Sequence, residues 1–229
     1  MRRADPRLHA IYVDGKPVHC SAVVRTWHET GLLFPALKPR KRTDLICLHW
    51  TAAENPPDAV HRNMRAHKDE DGKPEPLSVH FVVDQAGVVW QMADANAFAA
   101  HAAGVNERAV GIEIINRGDD TRVPTKGVQR DTIIEVIHGR QVKYAAFKPA
   151  QVVAVVELVQ ALCEAYGLPM RVPTEGGDVV PGALSKGQLE AFRGVIGHLH
   201  TKGGKRDPGV RLLRLVQAHG GAGAGPEVA

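Results

Sequence analysis

Residues 196–209, IGHLHTKGGKRDPG, place a His at the end of an apolar run and an Asp inside a Pro-Gly turn. A His leaving a buried strand and an Asp fixed in a rigid loop can aim at one point. Zinc accepts imidazole nitrogen and carboxylate oxygen, and a catalytic zinc needs only three protein ligands. His49 ends another apolar run, LICLHW, so His49, His198 and Asp207 share one pattern: each terminates or follows a short apolar strand and precedes a loop. Two His and one Asp leave a zinc ion with a net charge near +1 and an open position, the pattern of a hydrolase rather than of a structural site. Lys205, two residues before Asp207, would hold a cation beside that metal. Glu113 is a lone carboxylate in the apolar run AVGIEII, and an unpaired charge there is costly. It is therefore salt-bridged, metal-proximal or catalytic. With 12 His in the chain, most must be bystanders at strand ends or in loops.

Elements that position these residues follow from pattern. The 229 residues suit one generous domain, with 44% apolar residues for its core and 24% charged. Residues 1–42 read as an extension in which HAIYVDGKPVHC forms a β-hairpin around Asp14-Gly15. Residues 37–43, LKPRKRT, read as a basic connector. The main domain, 43–218, opens with a buried strand at 44–50 and a helix from Pro56-Pro57, with Val60, Met64 and His67 on one face. SVHFVVDQAGVVWQM gives two strands, AVGIEII another, and DTIIEVIHGRQVKYAAF a second hairpin. Residues 117–131 read as a surface loop. Pro149 starts the strongest helix and Gly167 ends it; residues 171–187 form a Pro/Gly-rich loop. A last strand at 194–198 and a helix at 210–219 follow, and the Gly/Ala tail, 219–229, is expected to be disordered. Strands and helices lack a regular βαβ rhythm. That favours an α/β fold of the mixed kind, a central mixed sheet flanked by helices.

Composition narrows the function classes. The net charge of +4 would help approach to an anionic polymer. No basic stripe interleaves with aromatics, so no nucleic-acid partner is expected. Cys20, Cys47 and Cys163 are widely spaced and odd in number, as in a reduced protein. The basic start, MRRADPR, precedes no apolar segment, so no secretory signal is read, and no run reaches the ~18 residues of a membrane span. The expectation is cytoplasmic synthesis, no membrane insertion and a monomer; a substrate beyond the membrane would require another means of delivery. HExxH is absent, which removes the commonest zinc-peptidase pattern.

In order and spacing, LICLHWTA, HFVVDQAGVVWQM, HAAGVNERAVGIEI and IGHLHTKGGKRDPG resemble the blocks of zinc-dependent N-acetylmuramoyl-L-alanine amidases, a family that includes phage lysins and peptidoglycan recognition proteins. The resemblance covers roughly residues 44–218. It implies a peptidoglycan recognition protein-like fold, a zinc ion, and hydrolysis of the amide between the muramic acid lactyl group and L-alanine. His49, His198 and Asp207 match the zinc ligands. Glu113 matches the glutamate acting on the catalytic water, and Lys205 a Lys that steadies the developing oxyanion. His101, Asn106 and, beside His49, Trp50 are assigned to the substrate groove. Two departures stand out. Val79 occupies a position where phage-type relatives carry Tyr, which leaves Glu113 to act more alone. His200 stands where an acidic residue is usual and could compete with His198 as ligand. His80 is read as structural.

The resulting expectation is a wall hydrolase of the phage or prophage lysin type acting on peptidoglycan or muropeptides, reaching the wall by holin-type or other non-Sec release. A cytoplasmic recycling amidase for anhydro-muropeptides and a non-catalytic peptidoglycan-binding protein stand as alternatives. Filled ligand positions favour catalysis over binding alone.

Overall fold

The run LICLHW buries every residue, because both faces of the strand it forms are covered. The computed structural model describes residues 9–34, 37–118 and 130–220. In chain order the strands and helices are β1 (Ala10–Val13), β2 (Lys16–His19), β3 (Val24–Thr26), α1 (Trp27–Thr30), β4 (Leu45–Trp50), α2 (Pro57–Arg65), β5 (Phe81–Val83), β6 (Val89–Gln91) and β7 (Ala109–Ile114). There follow β8 (Thr132–Ile137), β9 (Arg140–Ala145), α3 (Pro149–Tyr166), β10 (Thr174–Glu175), β11 (Asp178–Val179), α4 (Lys186–Ala191), β12 (Gly194–Gly197) and α5 (Val210–His219). A single 3₁₀ turn, His198–His200, continues directly from β12. The tail 221–229 and most of the loop expected at 117–131 lie outside the described residues.

One six-stranded mixed sheet, ordered β12-β4-β7-β5-β6-β3, forms the centre. Its strands β12, β4, β7 and β5 run parallel, β6 is antiparallel to β5, and β3 runs parallel to β6. Alternate side chains leave opposite faces. Ile46, Leu48, Val110, Ile112 and Ile114 pack with α3 and α5, while Leu45, Cys47, Ala109 and Ile196 pack on the other face with Phe192. A third cluster places Val60 of α2 over Val82 and Ile115. No helix among the described residues is long and apolar enough to cross a membrane. Cys20, Cys47 and Cys163 are buried and unpaired.

Several local readings change. The first 42 residues hold the expected hairpin, β1–β2, with Asp14 and Gly15 at positive φ. They also supply β3, which extends the main sheet. In the stretch expected to be a basic connector, Arg40 is only 5% exposed. Its guanidinium donates to the carbonyls of Ala95, Ala97 and Ala109 and to Thr43, tying that stretch to β7. Val60, Met64 and His67 line one cleft as expected, although α2 ends at Arg65 and His67 follows it as an exposed residue; His61 is the buried histidine of the helix. The Pro/Gly-rich loop contains the short ladder β10–β11.

Candidate active site

His49 and Glu113 sit side by side in the parallel register of β4 and β7, so both leave the sheet on one face. The end of β12 pairs with Leu48, which brings His198, the next residue, alongside His49. Asp207 arrives by a close approach of backbones. A Cβ on Gly197 would lie 2.8 Å from Pro208 Cδ, so the absence of a side chain lets the Asp-Pro turn rest on the strand. The Leu199 N–H donates to the Asp207 carbonyl at 3.0 Å and fixes the turn there.

Three ligand atoms converge. His49 Nδ1 and His198 Nδ1 are 3.0 Å apart, and Asp207 Oδ2 lies 3.1 Å from the first and 2.9 Å from the second. Ligands around a tetrahedral zinc at about 2.0–2.2 Å are roughly 3.3 Å apart, so the triangle has the dimensions of one coordination shell. The hydrogen bonds behind it decide which atoms carry protons. His101 Nε2 faces the Ala109 carbonyl at 3.2 Å and must donate to it, which leaves His101 Nδ1 an acceptor. His49 Nε2, 3.0 Å from that nitrogen, is therefore the donor. In neutral His49 the Nδ1 then carries a lone pair, aimed at a carboxylate oxygen. Two acceptors at 3.1 Å repel unless a cation lies against both, so the donor set fits a metal ion.

Electrostatics agree with that assignment. Burial lowers the His49 pKa against the opposing influence of the Asp207 carboxylate, and the ring is neutral. For Asp207, burial favours protonation, but the contacts with His198 and His49 prevail and hold its carboxyl below the usual range. A second grouping, Cys47 with His49 and His101, lies behind the first. There burial pushes the Cys47 thiol well above its ordinary pKa and keeps it protonated, a poor ligand.

Glu113 is 8% exposed, and its Oε2 is buried without a hydrogen-bond partner. Burial, then the negative charge of Asp207, raise its pKa well above the ordinary value, against the opposing pull of Lys205. The carboxyl opens into a cleft of about 270 Å³ that α2 walls with Val60, Asn63 and Met64. Lys205 is exposed, its charge acts on both His49 and Glu113, and the loop carrying it is held by His138 Nε2, which donates to the Lys205 carbonyl at 2.8 Å. A larger cavity of about 680 Å³, between α3, α5 and β9, shares no residue with this site.

Of the residues expected in the substrate groove, Trp50 lines the cleft, whereas His101 and Asn106 make hydrogen bonds within the protein. Both ring nitrogens of His101 are engaged within the protein, one by His49 and one by Ala109. Asn106 Oδ1 accepts from the backbone N–H groups of His101 and Ala102, so it shapes the loop that carries His101. Trp50 is 8% exposed; its ring packs on Tyr144, and the residue contributes to the cleft wall. His200 is not positioned to compete for the metal. Its Nδ1 accepts from the Gly197 N–H at 3.1 Å and its Nε2 donates to the Val180 carbonyl at 2.9 Å. His80 is wholly buried, accepting from the Gly111 N–H and donating to the Ala97 carbonyl. Pattern alone missed Glu135, whose Oε2 accepts from Tyr144 Oη at 2.7 Å and from the Val210 N–H at 2.8 Å. It thereby clamps the start of α5, three residues after Asp207. An exposed-looking Glu in a hairpin carries no sequence signal for that contact.

The sequence profile of the N-acetylmuramoyl-L-alanine amidase family matches residues 39–210. The chain belongs to this family, and it is an amidase of that class. Solved structures share its fold at low identity. An endolysin from a Thermus scotoductus bacteriophage is 17% identical, with 85% of this chain and 99% of that chain covered and a TM-score of 0.50. The Drosophila peptidoglycan recognition protein SA is 14% identical over 84% of this chain and 89% of its own, also at 0.50. The ectodomain complex of peptidoglycan recognition proteins LCa and LCx, with tracheal cytotoxin bound, gives 18% identity, 85% and 94% coverage, and 0.50. No curated protein sequence matches significantly.

Proposed function

We propose that this chain is a zinc-dependent wall hydrolase of the lysin type, cutting the amide between N-acetylmuramic acid and L-alanine in peptidoglycan or muropeptides. His49, His198 and Asp207 hold the metal. The observation that carries this reading is the triangle of 2.9–3.1 Å between their ligand atoms, with His49 Nδ1 left unprotonated by the bond behind it. A zinc ion held there supplies Lewis acidity toward water and the scissile carbonyl, and a positive charge that favours the ionised form of Glu113.

The remaining steps belong to side chains. Glu113, which lines the cleft and keeps one oxygen buried and unpartnered, accepts the proton of the attacking water and returns it to the leaving L-alanine amine. Lys205, whose charge acts on His49 and Glu113, stabilises the oxyanion as the carbonyl becomes tetrahedral. The cleft beside α2 receives the muropeptide. Among the fold relatives, one is an endolysin and another holds tracheal cytotoxin, in keeping with a muropeptide substrate.

Digestion of purified peptidoglycan, with mass analysis of the products, tests this. Free stem peptides beginning with L-alanine are expected, and their absence in the presence of zinc refutes the bond assignment. Rates on intact wall and on anhydro-muropeptides, measured side by side, separate lysin from recycling enzyme; faster cleavage of the wall is expected.

A further inference from the structure

We infer that His101 is a positioning residue that sets the proton arrangement of His49 rather than a contact for substrate. The inference rests on the reading of His49 as a metal ligand. A neutral imidazole can carry its proton on either nitrogen, and only one arrangement leaves Nδ1 free for a metal. Asp207 Oδ2, 3.1 Å from His49 Nδ1, would favour the wrong one by accepting a hydrogen bond from Nδ1–H. An opposing preference has to come from the far side of the ring.

His101 provides it. Its Nδ1 lies 3.0 Å from His49 Nε2, and the rings meet edge-on, with centroids 5.2 Å apart and planes at 86°. The direction of the bond is set one step further back, because the Ala109 carbonyl can only accept and so takes the proton of His101 Nε2. The chain of contacts ends in a backbone oxygen of β7, which has no alternative protonation state. The ring also needs space. A Cβ on Gly111 would come within 2.7 Å of His101 Cγ and Cδ2, so only a glycine lets the ring lie flat against β7. Asn106 completes the support by fixing the backbone of His101. Partners of this kind typically change metal affinity 10–100-fold.

The test compares His101→Leu, which removes the acceptor, with His101→Asn, which keeps an amide oxygen near the position of Nδ1. Zinc dissociation constants come from chelator competition, the protonation pattern of His49 from ¹⁵N NMR of the zinc-free protein, and folding from thermal unfolding. His101→Leu is expected to weaken zinc binding 10–100-fold and His101→Asn less than about 3-fold. In the zinc-free wild type the His49 proton is expected on Nε2. A proton on Nδ1 overturns the inference even if both variants misfold, and so does a folded His101→Leu protein with wild-type zinc affinity. Asp207→Ala serves as the control. If it lowers zinc affinity and His101→Leu does not, the positioning role alone fails; if neither does, the metal assignment fails with it.

Discussion

His49 and Glu113 occupy one rung of the parallel ladder between β4 and β7 and leave the sheet on the same face. Neighbouring parallel strands are about 4.8 Å apart, so the rung places a carboxyl beside a ligand nitrogen without any loop having to arrange it. The metal group and the proposed proton carrier therefore share a rigid base, and each can be removed without displacing the other.

Glu113→Gln is expected to keep zinc at wild-type stoichiometry while the turnover number falls about 10²–10⁴-fold. Metal analysis and steady-state rates on a muropeptide check this. A wild-type rate would remove Glu113 from the mechanism.

Asp207 and His200 should behave oppositely, although both are polar residues of the same loop region. Asp207→Ala is expected to lose zinc affinity by more than 100-fold, beyond what an indirect partner contributes, and activity with it. His200→Ala should retain the metal, because its ring is committed to Gly197 and Val180, and should lose about 1–3 kcal/mol of stability. Loss of zinc from the His200 variant, with retention by the Asp207 variant, would reverse the ligand assignment.

Glu135→Ala removes the acceptor shared by Tyr144 and the first N–H of α5. It is expected to cost about 1–3 kcal/mol in chemical unfolding. Zinc affinity should fall roughly 10-fold, because the clamp holds the segment just after Asp207. If stability falls and zinc affinity does not, the hairpin braces the fold without bracing the ligand.

His80 gives the protein an acid-sensitive core. Burial, reinforced by the charge of Arg40, lowers its pKa from 6.5 to about 3. The unfolded chain takes up this proton below pH 6.5 and the folded chain does not. Its stabilising effect is therefore complete above pH 6.5 and drains away as pH falls toward 3. Between pH 7 and pH 5 the loss from this one group is about 2 kcal/mol. Unfolding free energies of the wild type and of His80→Asn, measured at both pH values, should converge by that amount at the lower pH. A constant difference would mean that His80 takes up its proton in the folded protein as readily as in the unfolded chain.

Much of this architecture was legible because one pattern governed it. The unbroken apolar runs at β4 and β7 mark strands covered on both faces, and α3 shows its helical spacing between Pro149 and Gly167. The Asp14-Gly15 turn of the first hairpin was equally plain. His49, His198 and Asp207 stood out as polar residues where apolar runs stop, and the fold brings these three together. What could not be read depends on long-range packing. Nothing in VRT says that β3 joins β6, and nothing in LKPRKRT separates the buried Arg40 from its solvated neighbours. His101 drew attention by type and motif, but whether its ring faces a groove or His49 depends on Gly111, on another strand. The burial of His61 was not read at all, because it depends on Leu33 and Phe34, which lie far from α2 in the sequence.

His49 and Glu113 lie on central strands, whereas His198 and Asp207 come from the final fifth of the sequence. The parallel pairing of β12 with β4 is what joins them. A chain interrupted before β12 keeps one ligand and the carboxylate but has no means of gripping a metal. On the proposed ligand assignment, metal capture waits until β12 has joined the sheet, and zinc binding becomes a reporter of native topology. Fragments and unfinished chains should be inert toward the wall, however well their core segments collapse.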